Sequence, residues 1–304
     1  MAARVWHEEA VAALQGRPGV GLLEDVPLAS RTYIGVGGPA RVFLEPRSVE
    51  DLAWAVARLA ESGLPFDVLG AGSNLLVADE GPSFVVISCA AIASEPKMAG
   101  TSVRAGAGFS VPRLVKRLQK GGLAGLEFAE GIPGSVGGAV RMNAGWHEGE
   151  FGPRVRSLLA VTRRGDIETL DCGPGFFVYR KSPGLGDRIV AEAALDLVSD
   201  DPARIAERMR GFRDHRVQTQ PTGERNAGCM FKNPQGDHAG RLIDQSGLKG
   251  TRIGAAEVSP VHANFFINRG GATAHDVLAL IDRVRDEVRK RTGVRLESEV
   301  VTWA

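Results

Sequence analysis

Apolar positions along this chain follow a helical period in some stretches and form short extended runs in others. From Ser48 the apolar residues Leu52, Val56, Leu59 and Ala60 share one helical face. Glu50 and Asp51 fall in the first turn, where carboxylates meet the unpaired N–H groups of a helix start. The pattern predicts a helix from Ser48, ended by Gly63. Phe66–Leu69, Phe84–Ile87 and Ser102–Ala105 are short apolar runs and predict strands. Ser110 predicts the cap of another helix running to Gln119, with Pro112 tolerated in its first turn. Residues 4–15 predict a short leading helix. Strands and helices that alternate, with glycine loops between them, predict an α+β or α/β domain over residues 30–199.

At Ser199-Asp200-Asp201-Pro202 the pattern changes. An arginine-rich helix is expected from Ala203 to about Asp214, then a polar, irregular connection from Arg216 to Asn226. A second unit runs to about residue 293. Its clearest element follows Thr273, where Val277, Leu280, Ile281, Val284 and Val288 make one apolar stripe and Asp276 stands three residues after the capping threonine. Residues 294–303 read as a strand.

A formal net charge of +1 argues against a protein held to nucleic acid mainly by charge. Cys89, Cys172 and Cys229 are far apart with no C-x-x-C pair, so a disulfide framework or zinc knuckle is not expected, and a reducing cytoplasm is. No early apolar region resembles a signal peptide, and no stretch approaches the roughly 20 apolar residues of a membrane span. The histidines form no H-E-x-x-H and no tight pair, so no metal site is expected.

Two glycine runs carry the strongest chemical signal: Leu69-Gly70-Ala71-Gly72-Ser73-Asn74-Leu75-Leu76-Val77, and Gly131 to Gly145 with its core Gly131-Ile132-Pro133-Gly134-Ser135-Val136-Gly137-Gly138. Glycine lets backbone N–H groups approach a ligand and permits positive φ, so such runs can cradle phosphates. Two cradles without a Walker lysine suggest a large dinucleotide rather than ATP. A Rossmann fingerprint fails on context. Gly35-Val36-Gly37-Gly38-Pro39-Ala40 leads into a turn and strand, and in the run at Gly70 the third glycine is replaced by Leu75. A serine nucleophile at Ser135 fails because Pro133 stands where the elbow needs glycine.

Three polar constellations remain. Val178-Tyr179-Arg180-Lys181-Ser182 reads by itself as a solvated strand end. Asn226 to Pro234 places Cys229 between a glycine and an apolar pair, followed by Lys232 and Asn233. That is either a buried structural cysteine or a thiol beside an anion site. Glu297 and Glu299 share a face of the expected terminal strand and are ordinarily solvated.

In order along the chain stand T-x-x-G-x-G-G-x-A, L-G-x-G-S-N-L-L, G-I-P-G-S-x-G-G-x-x-x-M-N-A-G, Y-R-x-S, G-C-x-F-K-N-P, A-G-x-L-I-x-x-S-G-L-K-G, V-S-x-x-H-A-N-F and L-x-x-E-V. Each is weak alone, but the ordered set from about residue 30 onward closely resembles the UDP-N-acetylenolpyruvoylglucosamine reductase family. The resemblance implies an α+β fold. It has an FAD-binding domain of the vanillyl-alcohol oxidase and p-cresol methylhydroxylase type, made of two α+β subdomains, and a C-terminal α+β substrate-binding domain. The implied boundaries are a helical lead-in at 1–29, the FAD domain at 30–199, the substrate domain at 200–293 and a terminal strand at 294–304 carrying a catalytic glutamate.

FAD is the implied cofactor and NADPH the hydride-donating co-substrate. The implied reaction reduces an enolpyruvyl UDP-sugar to its lactyl ether in cytoplasmic peptidoglycan precursor synthesis. No nucleic acid, membrane or obligate protein partner is implied. FAD would be held by Gly70, Ala71, Gly72, Ser73, Asn74, Leu75, Gly131, Ile132, Pro133, Gly134, Ser135, Gly138 and Arg216. Substrate would meet Tyr179, Lys232 and Asn233. Arg180 and Glu299 would face its carboxylate, and Cys229 would occupy the proton-donor position, which is often serine in the family. The chain lacks the tyrosine-loop insertion of longer members. The rival expectations are another FAD oxidoreductase of the same fold and a non-catalytic flavin- or nucleotide-binding module.

Overall fold

The structure is a computed structural model that describes residues 2–147 and 149–303, the side chains of residues 2–5 excepted. It forms two compact units, each assembled from separate stretches of chain: residues 1–25, 41–71 and 83–214 in one, and 26–40, 72–82 and 215–304 in the other.

The first unit holds two layers of sheet and helix. A four-stranded sheet has the order Val20–Pro27, Pro39–Pro46, Val85–Ser88, Phe66–Leu69, and Val85–Ser88 runs parallel to both of its neighbours. Val85, Val86 and Ile87 are all fully buried, as expected for a parallel strand covered on both faces. Helices α1 (Ala2–Leu14) and α2 (Val49–Glu61) contribute Ala10, Leu14, Leu52, Val56 and Leu59 to its core. The Ser48 side chain caps α2 by accepting from the Asp51 N–H at 3.1 Å, so the expected start holds.

An antiparallel five-stranded sheet follows, ordered Ile167–Asp171, Val155–Val161, Ile189–Asp196, Ser102–Gly106, Lys97–Ala99. Helices α3 (Val111–Lys120), α4 (Val136–Arg141) and α5 (Pro202–Thr219) share its core through Leu114, Leu118, Val136, Val140, Ile205 and Met209. Ser110 stands at the head of α3 but makes no side-chain cap. Its flanking backbone instead bridges to the second glycine run, with Val111 N–H donating to Gly134 O at 3.0 Å and Val136 N–H to Phe109 O at 2.9 Å. Helix α5 overruns its expected end near Asp214 and includes Arg216. Polar composition alone does not stop a helix, and the next breaker is Pro221.

The second unit is an antiparallel sheet in the order Asn226–Cys229, Phe265–Asn268, Ala256–Val258, Arg252–Ile253. It packs with α6 (Ala239–Gln245) and α7 (Ala274–Thr292). The predicted stripe of α7, Val277 to Val288, is buried, and its Thr273–Asp276 capping box is formed. The expected strand over 294–303 is regular only at Val301–Trp303, which pairs in parallel with Leu75–Val77. Residues 297–299 pair instead by a single bridge to Phe231, because only the main chain of 230–232 lies beside them.

Candidate active site

In the first unit the strand Phe66–Leu69 ends on Gly70, and a Cβ built there would sit 2.9 Å from Ser135 Oγ. The head of the first glycine run and the core of the second therefore touch. Gly131 and Gly134 hold φ of +77° and +146°, conformations that side chains disfavour. Ser135 caps α4 through Gly138 N–H at 3.3 Å, which accounts for both residues. Ile132 N–H closes a turn on Ala129 O at 3.0 Å, and Pro133 has no N–H to give. Among the described hydrogen bonds, none uses the N–H of Gly70, Ala71, Gly134 or Ser135. A glycine-lined backbone surface with donors to spare fits the phosphates of a dinucleotide such as FAD. Gly35–Ala40 leads into the strand Pro39–Pro46 and not into a helix, so it is no Rossmann turn.

Arg180 lies in the same unit. Val178 and Lys181 exchange both backbone hydrogen bonds, at 2.9 and 3.0 Å, and close a two-residue loop over Tyr179 and Arg180. Arg180 has φ +56°, its Nη2 donates to Gly145 O at 2.9 Å, and its guanidinium lies 4.9 Å from the Tyr179 ring centroid. The segment is thus a built loop and not a solvated strand end.

In the second unit Gly72 has φ +67°, and a Cβ there would approach Arg31 O to 2.0 Å. Ser73 follows half-buried. Asn74 Nδ2 donates to Glu299 O at 3.2 Å and Asn74 O accepts from Val301 N–H at 3.1 Å, so this residue fixes the main chain at Glu299. Leu75 is buried in the strand paired with Val301, where it packs the core. Cys229 ends the strand Asn226–Cys229, half-buried, after Gly228 at φ +76°.

Beyond Cys229 the chain is held from both sides. Buried Asn264 clamps Phe231, accepting its N–H at 3.0 Å and donating to its carbonyl at 2.8 Å, while Met230 N–H donates to Asn264 O at 2.8 Å. On the other edge Lys232 N–H donates to Glu297 O at 2.9 Å and Glu299 N–H to Met230 O at 2.8 Å. The segment that follows Cys229 and carries Lys232 is therefore bridged to the one that carries Glu299, outside any regular strand. Lys232 Nζ pairs with the exposed Glu297 carboxylate. Asn233 Oδ1 accepts from Ala239 N–H at 3.0 Å and so caps α6, and Arg216 Nη1 donates to Gln220 Oε1 at 3.1 Å. Asn264 was not singled out in the sequence, although it stands in the H-A-N-F motif. Nothing local distinguishes a clamping asparagine from one in a turn.

The other thiols are held protonated. Burial pushes Cys89 up to about 12, and burial together with Asp171 pushes Cys172 up to about 11. Among the described residues no group of three His, Cys, Asp or Glu side chains could hold a metal.

Residues 40–171 match the FAD binding domain family, so the class is a flavin-dependent oxidoreductase. Residues 220–303 match the C-terminal domain of UDP-N-acetylenolpyruvoylglucosamine reductase. A reductase of that name from Geobacter metallireducens is 45% identical over 97% of this chain and 98% of its own length. One from Bacillus subtilis is 40% identical over 96% and 97%. The crystal structure of the Thermus caldophilus reductase superposes with a TM-score of 0.80 at 38% identity, covering 94% of this chain and 99% of that one. The chain belongs to the UDP-N-acetylenolpyruvoylglucosamine reductase family.

Proposed function

We propose that Arg180, Cys229 and Glu299 carry the substrate-reducing half of this family's reaction, and that Lys232 and Asn233 hold the substrate's diphosphate. The chain is an FAD-dependent oxidoreductase that reduces enolpyruvyl-UDP-N-acetylglucosamine with NADPH in peptidoglycan synthesis. FAD, when bound, supplies the hydride carrier between NADPH and C3 of the enolpyruvyl group. The backbone of Gly70, Ala71 and Gly131–Ser135 would hold its diphosphate, with Gly72, Ser73, Asn74 and Arg216 as further contacts.

Addition at C3 drives charge toward the substrate carboxylate, and groups already in place there lower the barrier. Arg180 supplies a permanent cation from a pinned loop. Glu299 supplies a carboxyl whose main chain is fixed on both sides by Met230 and Asn74. The Cys229 thiol gives its proton to C2 and completes the lactyl ether. Tyr179, exposed beside Arg180, would contact the substrate. The observation that carries this reading is the ladder in which Glu299 N–H bonds Met230 O, directly after Cys229. All three cysteines are free, and the reaction draws on NADPH and a nucleotide sugar, so we place it in the cytoplasm.

The test is an anaerobic titration. NADPH should bleach the flavin of Cys229→Ala as it does that of the parent. Re-oxidation by the enolpyruvyl substrate should fall by about 10²-fold or more, and Cys229→Ser should keep appreciable turnover. Parent-like turnover by Cys229→Ala would overturn the donor assignment.

A further inference from the structure

The loop that presents Arg180 hangs on two buried polar side chains that the reading above leaves without a role. Ser182, 6% exposed, donates from Oγ to Val140 O at 2.6 Å. Asn143, 1% exposed, donates from Nδ2 to Val178 O at 3.1 Å and to Glu150 Oε2 at 2.8 Å, while its Oδ1 accepts from Gly152 N–H at 2.8 Å. One anchor lies just before the loop and the other just after it. A third contact, Arg180 Nη2 to Gly145 O, ties down the guanidinium itself. All three reach residues 140–145, the continuation of the glycine run that begins at Gly131 and passes through α4.

The backbone shows why anchors are needed. Arg180 has φ +56° and Asn143 φ +42°, a region that side chains other than glycine visit rarely and that persists only where the surroundings over-determine it. The two Val178–Lys181 hydrogen bonds close the loop but do not say where it sits. Its place is set by Ser182, which donates to Val140 O of the glycine-run segment, and by Asn143 of that segment, which donates to Val178 O at the head of the loop. We propose that Ser182 and Asn143 are positioning residues for Arg180. They register its guanidinium against the glycine run, so that the charge meeting the substrate carboxylate is placed by the same segment that holds the cofactor. The proposal rests on the reading of Arg180 as the group facing that carboxylate.

The experiment is a double-mutant cycle on the two half-reactions, with FAD affinity measured alongside. Ser182→Ala and Asn143→Ala are each expected to slow re-oxidation by the enolpyruvyl substrate about tenfold or more, the scale at which small misplacements act. FAD affinity and reduction by NADPH should stay within about twofold of the parent. In an Arg180→Ala background, Ser182→Ala should add less than about a twofold further loss, because there is no guanidinium left to place. Equal slowing by Ser182→Ala in both backgrounds, or parallel loss of FAD affinity and both half-reactions, overturns the proposal and makes these residues merely structural. Should Asn143→Ala fail to fold, Ser182→Ala alone decides. Parent-like turnover by Arg180→Ala would instead sink the role given to Arg180, and the two failures are read from different variants.

Discussion

The three cysteines show how one residue type is sorted by its surroundings. Cys89 is buried in the parallel-sheet core, and desolvation pushes its thiol up to about 12. Cys172 is pushed up to about 11, chiefly by burial and then by Asp171. Both are raised, so both stay protonated through neutral pH, and thiolate appears at Cys172 only as pH climbs toward 11. Cys229, half-buried after a glycine turn, is the thiol to which the proposed reaction gives a proton-donor role. Iodoacetamide at pH 8 should therefore place a single adduct on the native chain, at Cys229, and mass spectrometry should find none on Cys229→Ser. An undiminished adduct on Cys229→Ser would mean that a buried thiol is reached after all. Sequence alone left Cys229 open between a structural and a chemical role, because the Asn264 clamp and the Glu297–Glu299 edge lie 33 or more residues away.

Elements were legible where the signal is local. The α7 stripe and its capping box are written within a few residues of each other, and the structure has both. The Asp79 carboxylate is different. Its two oxygens accept from Ala274 N–H at 2.8 Å and His275 N–H at 3.0 Å. With Thr273 taking Asp276 N–H, the first turn of α7 has its exposed donors satisfied. Thr273→Ala should cost about 1 kcal/mol and Asp79→Ala up to about 2 kcal/mol in urea unfolding. No loss in Asp79→Ala would show that water caps the turn as well. Asp79 could not be read as a cap because it precedes its helix by 195 positions. The tail at 294–300 and the overrun of α5 escaped for a related reason. Apolar alternation reports which residues are buried, not whether a partner strand is there to pair with them. A polar, arginine-rich stretch does not by itself end a helix.

At the scale of the whole molecule, the family motifs stand in linear order, but the compact units do not follow that order. The chain passes between them five times, and residues 26–40 and 72–82 belong with 215–304. Ile34, Val36 and Leu76 lie at most 2% exposed in the C-terminal core. Leu75–Val77 is the parallel partner of Val301–Trp303, Asp79 caps α7, and buried Asn268 donates to Ile34 O at 2.9 Å. Burying each of these aliphatic side chains contributes about 1.5–3 kcal/mol, so the three together approach the roughly 5–15 kcal/mol that holds a whole domain. A fragment of residues 200–304 loses all of these contacts at once, although it contains the entire matched C-terminal domain. It should therefore show no cooperative thermal transition and a collapsed amide spectrum. A chain that joins 26–40 and 72–82 to 215–304 through flexible linkers should recover both. A dispersed spectrum from the bare 200–304 fragment would show that its own helices and sheet suffice. Residues 75–77 would then be dispensable to the folding of the unit that holds the strand after Glu299.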